Sequence, residues 1–135
     1  MDSKTLNGQL AELSVLRRLV QEGWDVFTPF SGKTAHDIIA YRDSIGVITI
    51  QVKSTSQVAS SGSYVVELKS VRSNKSINSI KKFNNKIQDV LAVYITTLDT
   101  VLFIVSDSIT NTSAIRFSLE EIENIKKYSL EELLA

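Results

Sequence analysis

Ile48-Thr49-Ile50-Gln51-Val52-Lys53-Ser54 alternates apolar and polar side chains. In a strand, successive side chains point to opposite faces. Ile48, Ile50 and Val52 therefore share one face, and Thr49, Gln51 and Lys53 share the other. Just upstream, His36-Asp37-Ile38-Ile39-Ala40-Tyr41 is also strand-like, and Asp43-Ser44-Ile45-Gly46 reads as a turn between the two runs. Paired as a hairpin, strands over about 36–42 and 47–54 bring Asp37 beside Gln51 and Lys53. A carboxylate, an amide oxygen and an ammonium then converge on one spot, which is the makings of a metal-assisted hydrolytic site.

Length and composition limit what such a site can be. With 135 residues, 43% hydrophobic and 22% charged, the chain is expected to form one globular domain, 1–135. No apolar run reaches the roughly 18 residues of a membrane span. The polar start, Met1-Asp2-Ser3-Lys4, does not read as a signal peptide, so a cytoplasmic protein is expected. The chain has no cysteine and a single histidine, His36, which excludes thiolate sites and a multi-histidine zinc site within one chain. Any metal here is a hard ion held by oxygens, such as Mg²⁺. Net charge is zero but unevenly spread. Residues 69–86 hold Lys69, Arg72, Lys75, Lys81, Lys82 and Lys86 with no acid among them, whereas residues 118–135 are dominated by glutamate.

Taken in order, residues 4–22 read as a helix with Leu6, Leu10, Leu13, Leu16 and Val20 as its apolar stripe, ended by Gly23. Glu12 sits about 100° round the helix from Leu13, with Leu16 and Leu19 flanking that side, at the border of the buried face. A plain solvated glutamate is its other reading. Trp24-Asp25-Val26-Phe27 is a short strand stopped by Pro29, and the hairpin follows. The Ser/Gly-rich stretch 54–63 reads as a flexible loop, and Tyr64-Val65-Val66-Glu67-Leu68 as a strand. The basic stretch 69–86 has weak periodicity and admits a short helix around 77–83. Strands are expected at 90–95, 101–105 and 115–117. Ser118 then caps a helix with Glu121 at the capping-box spacing, and 129–134 closes the chain with a helical turn. Helix, strands and helix in this order imply a mixed central β-sheet flanked by helices in a single α/β domain.

Glu12 on a first helix, then Gly23-Trp24-Asp25-Val26, Asp37 opening a strand and Gln51-Val52-Lys53 closing the next together resemble the PD-(D/E)xK nuclease superfamily. Within it, the pattern resembles archaeal Holliday junction resolvases. It is more similar still to the small group I intron-encoded homing endonucleases, which carry Q-x-K in place of (D/E)-x-K. The resemblance covers residues 6–105 best. It implies a restriction-endonuclease-like fold and a Mg²⁺-dependent endonuclease that cuts double-stranded DNA, with Mn²⁺ as a substitute ion. Asp37, Gln51, Glu12 and the main-chain carbonyl of Val52 would hold the metal, and Lys53 would orient or help deprotonate the attacking water. Two positions depart from the superfamily pattern: His36 replaces a proline without chemical duty, and Gln51 replaces a carboxylate, leaving the anionic charge to Asp37 and Glu12.

The plain alternatives are that Asp37 caps a turn and that Gln51 and Lys53 form the polar face of an ordinary strand. Glu67-Leu68-Lys69 is a second E-x-K, read as structural because no acid precedes it at hairpin distance. For DNA contact, the candidates are Lys33 in the loop before Asp37 and the basic run of Lys69, Arg72, Lys75, Lys81, Lys82 and Lys86, whose charge suits phosphates. Asn74 and Asn78 bring amides suited to base edges. Cutting both strands needs two sites, so a homo-oligomer is expected, with Tyr128–Ala135 as a contact segment. A junction resolvase or restriction-type nuclease, and a DNA-binding module that has lost catalysis, are the rival functions.

Overall fold

The structure is a computed structural model that describes residues 2–31, 36–73 and 78–135, with the backbone alone for 70–73 and 78–80. Lys33, Asn74 and Lys75 lie outside the described residues, as do the side chains of Arg72 and Asn78.

Helix α1 spans Ser3–Gln21 and begins where Asp2 accepts the Thr5 N–H at 2.8 Å, a side-chain cap for one of the unpaired first-turn donors. Its buried residues are Ala11, Val15 and Leu19. Most of the expected stripe is instead on the outward side: Leu6, Leu10, Leu13 and Val20 are 47%, 42%, 61% and 58% exposed, and of its members only Leu16 packs against the core. At about 100° per residue the two rows are centred roughly 180° apart. The smaller row faces the sheet because alanine and valine let the helix backbone approach it closely, and spacing alone does not say which of two apolar rows does so. Gly23 ends the helix at φ 88°, a left-handed conformation suited to glycine, and a Cβ there would lie 2.9 Å from the Arg42 guanidinium.

The main sheet has the order β1-β2-β3-β7-β8, where β1 is Asp25–Phe27, β2 Ile38–Arg42, β3 Gly46–Thr55, β7 Val90–Ile95 and β8 Thr100–Val105. All pairings are antiparallel except β3 with β7, so the sheet is mixed. The hairpin read from the alternation is present, with Ile38 opposite Ile50 and Arg42 opposite Gly46. Asp89 pins the start of the parallel pair: its Oδ2 accepts the Thr49 N–H at 2.9 Å, and its own N–H donates to Thr49 Oγ1 at 3.0 Å.

Ile38, Ala40, Ile48 and Ile50 point to the α1 side and form one core with Ala11, Val15 and Leu19. Helix α3, Leu130–Leu134, closes that core with Leu130 fully buried, so the C-terminal segment covers its own chain. Leu91, Val93, Ile95 and Leu102 point to the other side, under β4 (Tyr64–Glu67), β9 (Ala114–Phe117) and helix α2 (Leu119–Ile125). The capping box at Ser118 and Glu121 forms as read, and Ser129 and Glu132 make a second one.

One reading of a connecting stretch is corrected. The basic stretch is a β-hairpin, β5 (Ser70–Ser73) with β6 (Asn78–Lys81), and no helix spans 77–83 among the described residues. Buried Leu68 and Phe83 fix its base, their N–H groups donating to Ser113 and Thr112 carbonyls at 2.8 and 2.9 Å. The Ser/Gly stretch is a bonded turn: Ala59 N–H reaches the Ser63 carbonyl at 2.8 Å, and Val65 N–H the Gln57 carbonyl at 2.9 Å. That turn lays β4 beside the end of β3.

Candidate active site

β3 runs on past Ile50, the last residue it pairs with β2. Asp37, the residue just before β2, fills the gap beside it. Its main-chain N–H donates to the Ile50 carbonyl at 3.1 Å, and its carboxylate Oδ2 accepts the Val52 N–H at 2.8 Å. One carboxylate oxygen is thus fixed by backbone and the other is left available.

Beyond this point α1 overhangs the sheet, and an open cavity of about 690 Å³ lies beneath it. Glu12, Asp37, Val52 and Lys53 line it, so four of the five expected site residues share one space. Gln51 is half-buried on the same strand face as Lys53 but is not part of the wall. Glu67 and Lys69 line the cavity as well, together with Ser54 and, from α1, Lys4, Thr5, Gly8 and Gln9.

Burial dominates the electrostatics. It raises the Asp37 carboxyl above its ordinary value, against the opposing effects of the Val52 N–H and the nearby Lys53 and His36. It also raises Glu12, to which the neighbouring Asp37 charge adds. It lowers the Lys53 ammonium, while Asp37 and Glu67 act the other way. Acids pushed up and a base pushed down toward neutrality in one cleft are what proton-handling and cation-binding sites require.

The donors here are hard oxygens, the type that Mg²⁺ takes. Among the described residues no three Asp, Glu, His or Cys side chains form a ready-made metal cage. That fits an ion bound through one or two carboxylates that keeps its water and takes up substrate oxygens.

The second E-x-K, Glu67-Leu68-Lys69, is read from the sequence as structural, yet both of its charged residues line the cavity, as their i, i+2 spacing on one strand face allows. Of the remaining candidate contacts, Lys69, Lys81 and Lys82 are exposed, and exposed Lys86 is paired with Asp107. No helix among the described residues is long and apolar enough to cross a membrane.

A mixed sheet with a carboxylate and a lysine at the open end of its central hairpin, under a helical glutamate, is the layout of a restriction-endonuclease-like fold. The chain belongs to the PD-(D/E)XK endonuclease family, whose model matches residues 1–133. Among solved structures it is similar to a bacterial homing endonuclease, I-Ssp6803I, with a TM-score of 0.74 and 24% identity over 86% of this chain and 78% of that chain. That likeness carries the fold. No curated protein is found to match the chain.

Proposed function

We propose that this endonuclease is a Mg²⁺-dependent, sequence-specific cutter of double-stranded DNA, of the homing type. The observation that carries the reading is the Asp37 carboxylate held by the Val52 N–H in the same cavity as Glu12 and Lys53. The likeness to I-Ssp6803I, a bacterial homing endonuclease, supports the same choice. Asp37, Glu12, the Val52 carbonyl and the Gln51 amide oxygen would hold the ion. When bound, Mg²⁺ supplies Lewis-acid polarisation of the phosphate and offsets the charge of the transition state.

The chain's own residues do the rest. Asp37, oriented by backbone, keeps one oxygen aimed into the cavity. Lys53, its ammonium easier to deprotonate than usual, orients the attacking water, helps take its proton and offsets charge on the phosphate. Glu67 acts on the Lys53 charge from the neighbouring strand. The β5–β6 hairpin, whose stretch carries the basic residues, has the width of a two-stranded ribbon, which the major groove admits.

The test is cleavage of a supercoiled plasmid library by the wild-type chain. Mg²⁺-dependent cutting at a recurring site, abolished by EDTA, is expected. Cutting only four-way junctions would select the resolvase, and tight binding with no cleavage in Mg²⁺ or Mn²⁺ would select a binding module.

Cutting both strands calls for two sites related by a two-fold axis. The outward row Leu6, Leu10, Leu13 and Val20 on α1 offers a second copy a helical apolar surface. Leu13→Glu is expected to shift the protein from dimer to monomer by light scattering and to convert double-strand cuts into nicks. An unchanged mass would remove α1 as the contact.

A further inference from the structure

Gly8 stands in the second turn of α1, where glycine destabilises a helix relative to alanine. The fold does not account for it. Its φ is not in the left-handed region, and a Cβ added there would meet no atom within 4 Å. Yet Gly8 is not on the outward row. At about 100° per residue it lies on the inward side of the helix, between the directions of Val15 and Leu19. Farther along α1 this side packs on the sheet through Ala11, Val15 and Leu19. At Gly8 the inward side instead opens on the cavity that Asp37 and Lys53 line, beside the part of β3 that β2 no longer covers. Lys4 and Thr5, one turn before it, and Glu12, one turn after, line the same wall, and Lys69 adds a third cation to Lys4 and Lys53.

We propose that Gly8 is where the sugar–phosphate backbone of the substrate strand crosses α1, the missing side chain making room for it. Lys4 and Thr5 then contact the neighbouring phosphate, and Glu12 lies on the scissile side. Glycine is used where a ligand must come close to backbone. The cavity's lysines, Lys4, Lys53 and Lys69, are matched by the carboxylates Glu12, Asp37 and Glu67, but beside Gly8 the wall is Lys4 and the Thr5 hydroxyl, a pair that suits a phosphate rather than an apolar ligand. Gly8 is a positioning residue, and this assignment rests on the reading of the cavity as a DNA-cleaving site.

The experiment compares wild type with Gly8→Ala and Gly8→Leu in three measurements. These are thermal unfolding, cleavage kinetics on a plasmid that the wild type cuts with Mg²⁺, and anisotropy of a fluorescein-labelled fragment of that plasmid with Ca²⁺. If the wild type cuts no plasmid, a fragment of the library plasmid is labelled instead. The two variants should melt at or above the wild-type temperature, Gly8→Ala by roughly 2–5 °C above it. Their kcat/KM should fall roughly tenfold for alanine and about 100-fold for leucine, mostly through KM, with DNA affinity falling in parallel. A merely structural glycine would not combine higher stability with weaker binding. Wild-type cleavage and affinity in Gly8→Leu would overturn the proposal. A wild type that binds the duplex without cutting it would remove the nuclease reading and leave Gly8 to be judged by affinity. A wild type that does not bind duplex DNA would end both.

Discussion

Asp37→Asn protein is expected to bind duplex DNA, to cut it at least about 10³-fold more slowly, and to melt at a higher temperature than wild type. On the proposed reading the rate falls because a neutral amide replaces the backbone-fixed carboxylate that would hold the ion. The melting temperature rises because the asparagine oxygen can still accept the Val52 N–H while the buried charge is gone. The direction of the pKa shift gives the sign. The Asp37 carboxyl is raised from 3.8 by burial, so in the folded chain it holds its proton more readily than in the unfolded chain. The stability linked to that proton is present below 3.8 and is lost as pH rises through the higher folded value. At neutral pH the wild type therefore carries an uncompensated cost that the variant lacks. Stability–pH curves of the two proteins should converge in acid and separate toward neutrality. A variant that melts lower than wild type at pH 7 would contradict this account of the site, and full cleavage would remove Asp37 from it.

Lys53→Met should lower the cleavage rate about 10²–10³-fold with little change in DNA affinity, since methionine keeps the stem and removes the ammonium. Here too the fold gains. Burial lowers the ammonium from 10.5, so its stabilising neutral form is lost as pH falls through the folded value, and at neutral pH the charged form is the costly one. Lys53→Arg separates the two parts of the role. It keeps the charge but cannot give up a proton in this pH range. Activity restored by arginine assigns Lys53 to charge relief, and activity lost in both variants assigns it to proton transfer. Wild-type rates in Lys53→Met would show that the lysine is not in the machinery.

The hairpin that holds these two residues was legible because its alternation is strict: Ile48 and Ile50 are buried, Thr49 and Gln51 half-buried. The cap at Ser118 was legible because a serine and a glutamate three residues on act locally, and the same pattern at Ser129 and Glu132 went unread. What failed to show was anything set by packing between distant segments. α1 carries two apolar rows, and the leucine row looks the more hydrophobic, yet the alanine–valine row faces the sheet because close approach favours small side chains. The basic hairpin has too little apolar periodicity to declare itself, and its base is fixed by Leu68 and Phe83 packing into a core assembled elsewhere. Glu67 reaches the cavity only because the 56–63 turn folds β4 back against β3. Gly8 has no local signature, since its meaning depends on where β2 stops covering β3.

Arg18 ties the first helix to late parts of the chain. Its guanidinium donates to the carbonyls of Val101 at 2.7 Å and Tyr128 at 2.9 Å, and it stacks over Phe103. Glu22 adds a bond to the Leu130 N–H at 2.8 Å. The parallel β3–β7 pair likewise joins segments separated by the whole β4–β6 region. Contacts so distant in sequence carry a loop-closure cost and slow folding. During synthesis, Glu12 and Asp37 leave the ribosome long before Val101, Tyr128 and Leu130, to which Arg18 and Glu22 bond. A half-made chain therefore presents the carboxylates of the proposed site before the late bonds that complete the seat of α1 exist.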